Sequence, residues 1–456
     1  MTLSTILIFS AGAFVIPQRW RSWMLFALSV IAIYWLQPRL SIRFADFILP
    51  TAALGLTAAS WWFTRAEDQS IRQSLPALLL LLALIMGMSL MRYIDADYRL
   101  TPSRPPQPLM VAAGLAALVL MIVLITRTLQ RQYQLWLMLA GIIALFVLLK
   151  AEPLATEISR LWRGQTGQDR TLASSVDLAW LGFSYIAFRL IHTLRDYQTG
   201  KLPSLTLKDY LTYVMFFPSL TAGPIDRVER FVKDYHAPSA DYYAGLQRIS
   251  IGIFKKFVIA DSLAYGLSLD SVDVMQIHHT AGYWVLLYGY AFRLFFDFSG
   301  YTDIAIGIGL LFGIRLPENF NNPYLKTNIT AFWQSWHITL SNWVRFYVFM
   351  PFSRWMLKRR VKPSAAMVVL MAQLLTMIMI GLWHGITINF LIWGVWHGIG
   401  LFIHKQWTDR TRKWDFSLPK SLAWFVTFHY VVIGWVWFAL PSMDESLHVL
   451  AGLVGF

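Results

Sequence analysis

Two histidines stand in settings that suggest acid–base chemistry. His337 falls within Phe332–Trp343 (Phe-Trp-Gln-Ser-Trp-His-Ile-Thr-Leu-Ser-Asn-Trp). There Trp333, Trp336, His337 and Leu340 recur at i, i+3, i+4 and i+7, which predicts one face of a helix. His384 lies in Gly381–Gly385 (Gly-Leu-Trp-His-Gly), at the end of an apolar run that begins at Ala366, and Asn389, Trp393, Trp396 and His397 follow it. Glycines on both sides of His384 would let another backbone or a substrate come close to the ring. A neutral histidine is the natural general base for a hydroxyl acceptor, because its pKa lies near working pH. Blander readings fit the same patterns: a hydrogen-bonded core histidine at 337, and a packing histidine in a Gly-rich helix crossing at 384.

Other chemistries are excluded or weakly signalled. With no cysteine there is no disulfide, no Cys-based metal site and no acyl-cysteine intermediate. Neither a G-x-S-x-G elbow nor a P-loop is present. His397 and His404 share a helix face, and His278–His279 lie near a loop, but no HExxH or carboxylate-rich pattern accompanies them, so no metal is assigned. Asp95 and Asp97 read as solvated loop charge. Leu316–Tyr324 (Leu-Pro-Glu-Asn-Phe-Asn-Asn-Pro-Tyr) is too polar to cross lipid and too aromatic for an idle loop. Its Asn319, Asn321 and Asn322 suit a wet pocket.

The elements that must position these groups are membrane helices. The chain has 456 residues, 57% apolar and 14% charged, with mean hydropathy +0.50. Long runs nearly free of charge approach the roughly 20 residues a span needs. Spans are expected at 2–16, 23–36, 44–63, 75–91, 109–125 and 135–149, with polar connections between them. The formal charge of +14 fits basic cytoplasmic loops rather than nucleic acid. Arg19–Arg21, Arg65–Arg72 and Arg127–Arg131 then put the N-terminus outside, although Arg39 and Arg43 oppose this. Lys150–Asp177, Lys358–Lys362 and Lys405–Lys413 read as further loops. From about Val176 the spans shorten and carry ionisable groups, including Arg189, Lys255, Lys256, Arg293, Asp297 and Asp303. Unpaired polar groups in hydrocarbon cost several kcal/mol, so these must meet one another or line a wet cavity. Tyr210–Leu220 reads as re-entrant. The expectation is an all-α, polytopic helix bundle of one membrane domain (1–456), with plain spans over 1–150 and a loaded core over 176–440.

Phe296–Trp343 together with Trp383–Gly385 resembles the membrane-bound O-acyltransferases, in the bacterial branch that serves alginate O-acetylation and D-alanyl transfer to lipoteichoic acid. Phe217–Asp226, Gly252–Ala264 and Gly434–Ala439 extend the similarity across roughly Val176 to Leu440. The resemblance implies helices and re-entrant segments around a central funnel or tunnel, with His384 and His337 near its constriction. It implies a thioester donor, acyl-CoA or an acyl-carrier protein, on the cytoplasmic side, and no bound cofactor. The acceptor would be a hydroxyl of an extracytoplasmic polysaccharide, teichoic acid or carrier protein, directly or through a partner acyltransferase, and the location the cytoplasmic (inner) membrane.

On this reading His384 takes the acceptor's proton, while His337 orients the acceptor or supplies a second proton-transfer group; some family members could give His337 the leading role. Trp336, Trp383, Asn389, Asn342, Arg345, Asp297 and Asn319 are the expected substrate-facing residues. Two departures stand out. The family usually places Asp after the arginine where this chain has Phe346, and its late segment usually carries an Arg that Trp437–Ala439 lacks. A transporter or flippase for an envelope precursor is the rival reading, since broken helices and buried charges serve transport too.

Overall fold

The computed structural model describes residues 2–15, 17–67, 69–360, 363–414 and 416–456. Ile16, at the edge of the first expected span, and Val361–Lys362, in an expected loop, lie outside the described residues. Every described element is helical and no strand occurs among the described residues. The helices gather into two compact units, one of residues 1–246 with 307–316 and one of 247–306 with 317–456.

The first unit opens with α1 (Leu3–Val15), α2 (Arg21–Trp35), α3 (Ala45–Thr64), α4 (Leu75–Leu90), α5 (Pro108–Thr128) and α6 (Arg131–Lys150). Each matches an expected span. Pro17 and Pro38 follow α1 and α2, and a proline cannot continue a helix, which keeps these two short of a full crossing. Lys150–Asp177 departs from expectation: Glu152–Gln165 forms a helix, α7, rather than loop. Its apolar stripe settles this, because Ala155, Ile158 and Trp162 pack with Leu40, Ile42, Leu49 and Leu178. Buried Arg163 pairs with Asp177 at 2.8 Å. α8 (Phe183–Gln198), α9 (Leu207–Met215), α10 (Val228–His236) and the start of α11 (Tyr242–Ile253, to Leu246) follow, the rest of α11 belonging to the second unit. α9 is almost wholly buried and, at nine residues, too short to span.

The second unit contains α12 (Asp261–Ala264), α13 (Thr280–Leu311, to Ile306), α14 (Ile329–Trp333), α15 (Ile338–Val344), α16 (Met350–Leu357), α17 (Ala365–His384), α18 (Ile388–Trp414), α19 (Lys420–Gly434), α20 (Val436–Ala439) and α21 (Met443–Gly452). Lys405–Lys413, expected as loop, forms the last turns of α18; helical propensity and the Lys405–Asp409 pair at i, i+4 extend that helix through its charged end. Seven helices among the described residues are long and apolar enough to cross a bilayer: α3, α4 with its short extension, α5, α6, α13, α17, and α19 continued through α20. The chain is a multi-pass membrane protein.

Three arrangements in the second unit hold the histidine-bearing segments. A helix crossing joins Gly252 to Gly300: a Cβ on either would come within 2.8 Å of the other's carbonyl oxygen, so only glycine permits the approach. Beside it, a π-helical stretch, Phe254–Ala260, presents Lys255 to Asp303 at 2.7 Å and Lys256 to Asp297. Arg248 then bridges Asp303 at 2.7 Å and Glu318 at 2.8 Å, which anchors the polar segment 317–322. Finally, α17 and α18 form a tight hairpin. A Cβ at Gly394 would lie 2.7 Å from the Met377 carbonyl oxygen, and one at Gly381 only 2.2 Å from that of Phe390.

Candidate functional site

His337 does not lie on a continuous helix with Trp333. The helix stops after Trp333, and His337 caps the next one in the left-handed region, at φ 43° and ψ 53°. The expected shared face of Trp333, Trp336, His337 and Leu340 is therefore broken between 334 and 337. Side-chain spacing could not reveal the break, because the force behind it comes from the polar segment well upstream. Asn319 accepts at its backbone oxygen from the Ile338 N–H (2.9 Å), and Asn321 N–H donates to Ser335 O (3.0 Å). These bonds pull the chain out of helical geometry at His337 and outweigh the roughly 1–2 kcal/mol that a left-handed non-glycine residue costs.

The same asparagine fixes the imidazole. Asn319 Oδ1 accepts from Thr339 Oγ1 at 2.8 Å and from the Thr339 backbone N–H at 3.2 Å, and His337 Nδ1 lies 3.2 Å from it. A backbone N–H can only donate, so this amide atom must be oxygen. His337 Nδ1 must then be the donor, and the neutral ring keeps its lone pair on Nε2. That Nε2 is buried and has no hydrogen-bond partner among the described residues. Asn319 Nδ2, Ser299 Oγ and Thr302 Oγ1 are likewise buried without partners among the described residues. Such a group of unanswered polar atoms calls for water or a ligand.

His384 is the last residue of α17 and is half-buried. Trp383 connects the two histidines: its ring centroid is 6.2 Å from that of His337 and 4.5 Å from that of His384. Phe298 meets the His337 ring edge-on at 4.7 Å, and Phe438 meets His384 at 4.6 Å. Phe390 and Trp393 complete the wall around His384, at 5.8 and 6.0 Å. The glycines flanking His384 admit Phe390, through its carbonyl oxygen at Gly381 and its ring at Gly385.

The other expected site residues fall into three groups. Asn319 and Trp383 join the histidines. Trp336 is buried against Phe320, Phe332 and Trp435 and belongs to the aromatic packing behind His337. Asn389 is buried, with its Nδ2 donating to the carbonyls of Leu440 and Ser442 and to Ser446 Oγ, so it ties the start of α18 to the chain after α20. Asp297 pairs with Lys256. Asn342 and Arg345 are exposed on the helix beyond His337 and are not brought to its ring.

Sequence reasoning missed the aromatic walls, Phe298, Phe390 and Phe438, because rings at those positions look like ordinary lipid-facing residues. His397, weighed only as a metal ligand, is fully buried between Trp333 (5.1 Å) and Trp393 (4.8 Å), with neither ring nitrogen hydrogen-bonded among the described residues. In the first unit, His192, Asp196 and Glu229 hold possible ligand atoms within 4.8 Å of one another. Their spacing along the chain carries no metal-site signature.

The arrangement supplies an imidazole whose Nε2 lone pair is unanswered among the described residues, and a second imidazole across one indole. The family model for membrane-bound O-acyltransferases matches residues 142–440. The chain is 40% identical over 253 residues to a peptidoglycan O-acetyltransferase of Helicobacter pylori, covering 54% of this chain and 46% of that protein. It is 34% identical over 279 residues to a teichoic acid D-alanyltransferase of Bacillus subtilis, covering 58% of this chain and 69% of that one. A protein of Pseudomonas syringae pv. tomato named probable alginate O-acetylase is 34% identical over 280 residues, covering 60% and 51%. Against the first and third of these, the match spans about half of the relative's length. The family model matches well over half of the chain, and the chain belongs to the membrane-bound O-acyltransferase family.

Proposed function

We propose that this protein transfers an acyl group, acetyl or D-alanyl, from a thioester donor on the cytoplasmic side of the inner membrane to a hydroxyl of an extracytoplasmic envelope polymer or carrier protein. The names of its relatives support the acceptor class. In the proposed reaction the acceptor oxygen attacks the thioester carbonyl. Its proton passes to an imidazole, the C–O bond forms, the C–S bond breaks, and the donor leaves as a thiol. His337 is suited to take that proton at Nε2, since Asn319 holds its other nitrogen as a donor. His384, across the Trp383 indole, is suited to give the departing sulfur a proton from its imidazolium form, and is reprotonated by water as His337 releases the acceptor's proton. The donor is a co-substrate, acyl-CoA or an acyl-carrier protein, and a partner acyltransferase could receive the group before the polymer does. A funnel reaching the histidines would admit both substrates.

One observation carries this reading: two imidazoles flank a single indole, and one of them presents a buried lone pair that no group among the described residues answers. Purified protein reconstituted in vesicles and supplied with a radiolabelled acyl thioester tests it. Label should appear on an added hydroxyl acceptor, and H337Q and H384Q should each abolish it. Movement of an unmodified precursor across the vesicle, with no acylated product, would favour a transporter or flippase and end the enzyme reading.

A further inference from the structure

A second candidate site lies in the first unit, lined by residues that precede 142–440 except for Leu207 of α9. A cavity of about 200 Å³ opens between α3, α4 and α5. Its walls are almost entirely hydrocarbon, with Leu54, Ala58, Leu82 and Leu118 along its length and Trp61 and Trp62 at one end. From Leu54 to Trp62 the wall follows eight residues of helix, roughly 12 Å at a rise of about 1.5 Å per residue. That is close to one leaflet of a hydrocarbon core about 30 Å thick. The outer wall, α5, has a mean hydropathy of 2.8 and only 6% of its span buried, so it faces lipid.

Basic residues gather at the tryptophan end. Arg65 follows Trp62 and Thr64, and its guanidinium lies 4.5 Å over the Trp62 ring. Trp62 Nε1 donates to Thr126 Oγ1 at 3.0 Å, which places exposed Arg127 beside the same opening. Ile71 lines the cavity, and exposed Arg72 follows it. Arg131 is committed elsewhere: it donates to the carbonyls of Phe63 and Arg65 and lies 3.8 Å from Glu67. Arg65 also donates to the Gln69 carbonyl at 3.3 Å. Arg65, Arg72 and Arg127 thus all fall at the tryptophan end of a hydrocarbon slot of one-leaflet depth, where exposed Glu67 lies 3.8 Å from Arg131.

We propose that this cavity holds one acyl chain of an anionic phospholipid, with the lipid phosphate seated among Arg65, Arg72 and Arg127. A slot of this polarity in contact with the bilayer is filled by a lipid tail rather than water, and the arginines select the headgroup, because basic side chains near the membrane surface attract anionic lipid. The lipid is a structural ligand of the plain N-terminal spans and takes no part in acyl transfer.

The test uses the purified full chain in detergent, titrated by native mass spectrometry with phosphatidylglycerol and with phosphatidylcholine of the same chains. Phosphatidylglycerol should bind about ten-fold tighter or more. R65Q/R72Q/R127Q should bring the two lipids level, and Ala58→Phe, which fills the slot, should release both. In parallel, wild-type protein is crosslinked to phosphatidylglycerol carrying a diazirine in its chain, and labelled peptides should come from 54–62, 78–85 and 115–123. Equal binding of the two lipids by wild type would overturn the proposal, as would crosslinks spread evenly over all lipid-facing helices.

Discussion

His337 pairs a backbone conformation that favours glycine with a side chain that only histidine supplies. Local strain of this kind is retained where the surrounding structure over-determines it, often at functional sites. The two demands can be separated. H337A and H337G should both lose acyl transfer, but H337G relieves the left-handed residue and should unfold at a higher temperature, by about 1 kcal/mol of stability. Thermal unfolding in one detergent compares them. Asn319 acts through His337: N319L removes the oxygen that Thr339 and His337 share, so the ring can take the other tautomer. Turnover should fall by roughly 10- to 100-fold, as for loss of other groups that orient a working ligand, with KM for the donor little changed. An equal loss in KM would instead make Asn319 a binding residue. At this scale the sequence made the residue types legible, His337, His384, Asn319 and Trp383 among them. It could not show that Asn389 and Trp336 face inward to packing and not toward the rings, because which side a residue presents depends on partners distant in the chain.

The α17–α18 hairpin positions His384 through glycines that admit a neighbouring backbone. G381A would force a methyl group against the Phe390 carbonyl oxygen, and overpacking of this kind costs about 1–3 kcal/mol. Since His384 is less than a turn away, the same variant should lower acyl transfer, measured alongside its unfolding temperature. α7 offers a pH test in the first unit. Burial alone pushes the Asp177 carboxyl up, but hydrogen bonds from Arg163, Ser159 and the Ser174 backbone outweigh it and hold the group below its ordinary value. A carboxyl lowered by folding contributes stability above its unfolded pKa, about 3.9, and loses that contribution as pH falls through the folded value. D177N should therefore unfold more easily than wild type at pH 7, with the gap closing at acid pH below about 4. Helix existence was readable for α1–α6 because each is a long apolar run between polar turns. α7 was obscured because its charges dominate its composition, although the stripe of Ala155, Ile158 and Trp162 was there to find.

Across the whole molecule the plain spans and the loaded half differ in what their sequence reveals. The family match covers residues 142–440, and both histidines fall within it. The cavity between α3, α4 and α5 lies mostly before it, with Leu207 its one wall residue from the matched stretch, in helices whose only sequence signal is hydrophobicity. Such runs announce a membrane protein but conceal any cavity between them, since a slot arises from imperfect packing of neighbouring helices and not from a motif. By contrast the ionisable residues of the second unit are interpretable from sequence: charges in membrane helices must pair, and Lys255, Lys256, Asp297 and Asp303 do so around the Gly252–Gly300 crossing, with Arg248, which the sequence did not single out, joining Asp303. The central claim is that His337 and His384 act as one unit across Trp383. A double-mutant cycle on acyl transfer, measured with H337Q, H384Q and the double variant reconstituted in vesicles, tests it most directly. Groups that act as a unit are strongly non-additive, so each single variant should lose about as much as the double. Full transfer by either single variant, or losses that multiply in the double, would contradict the account.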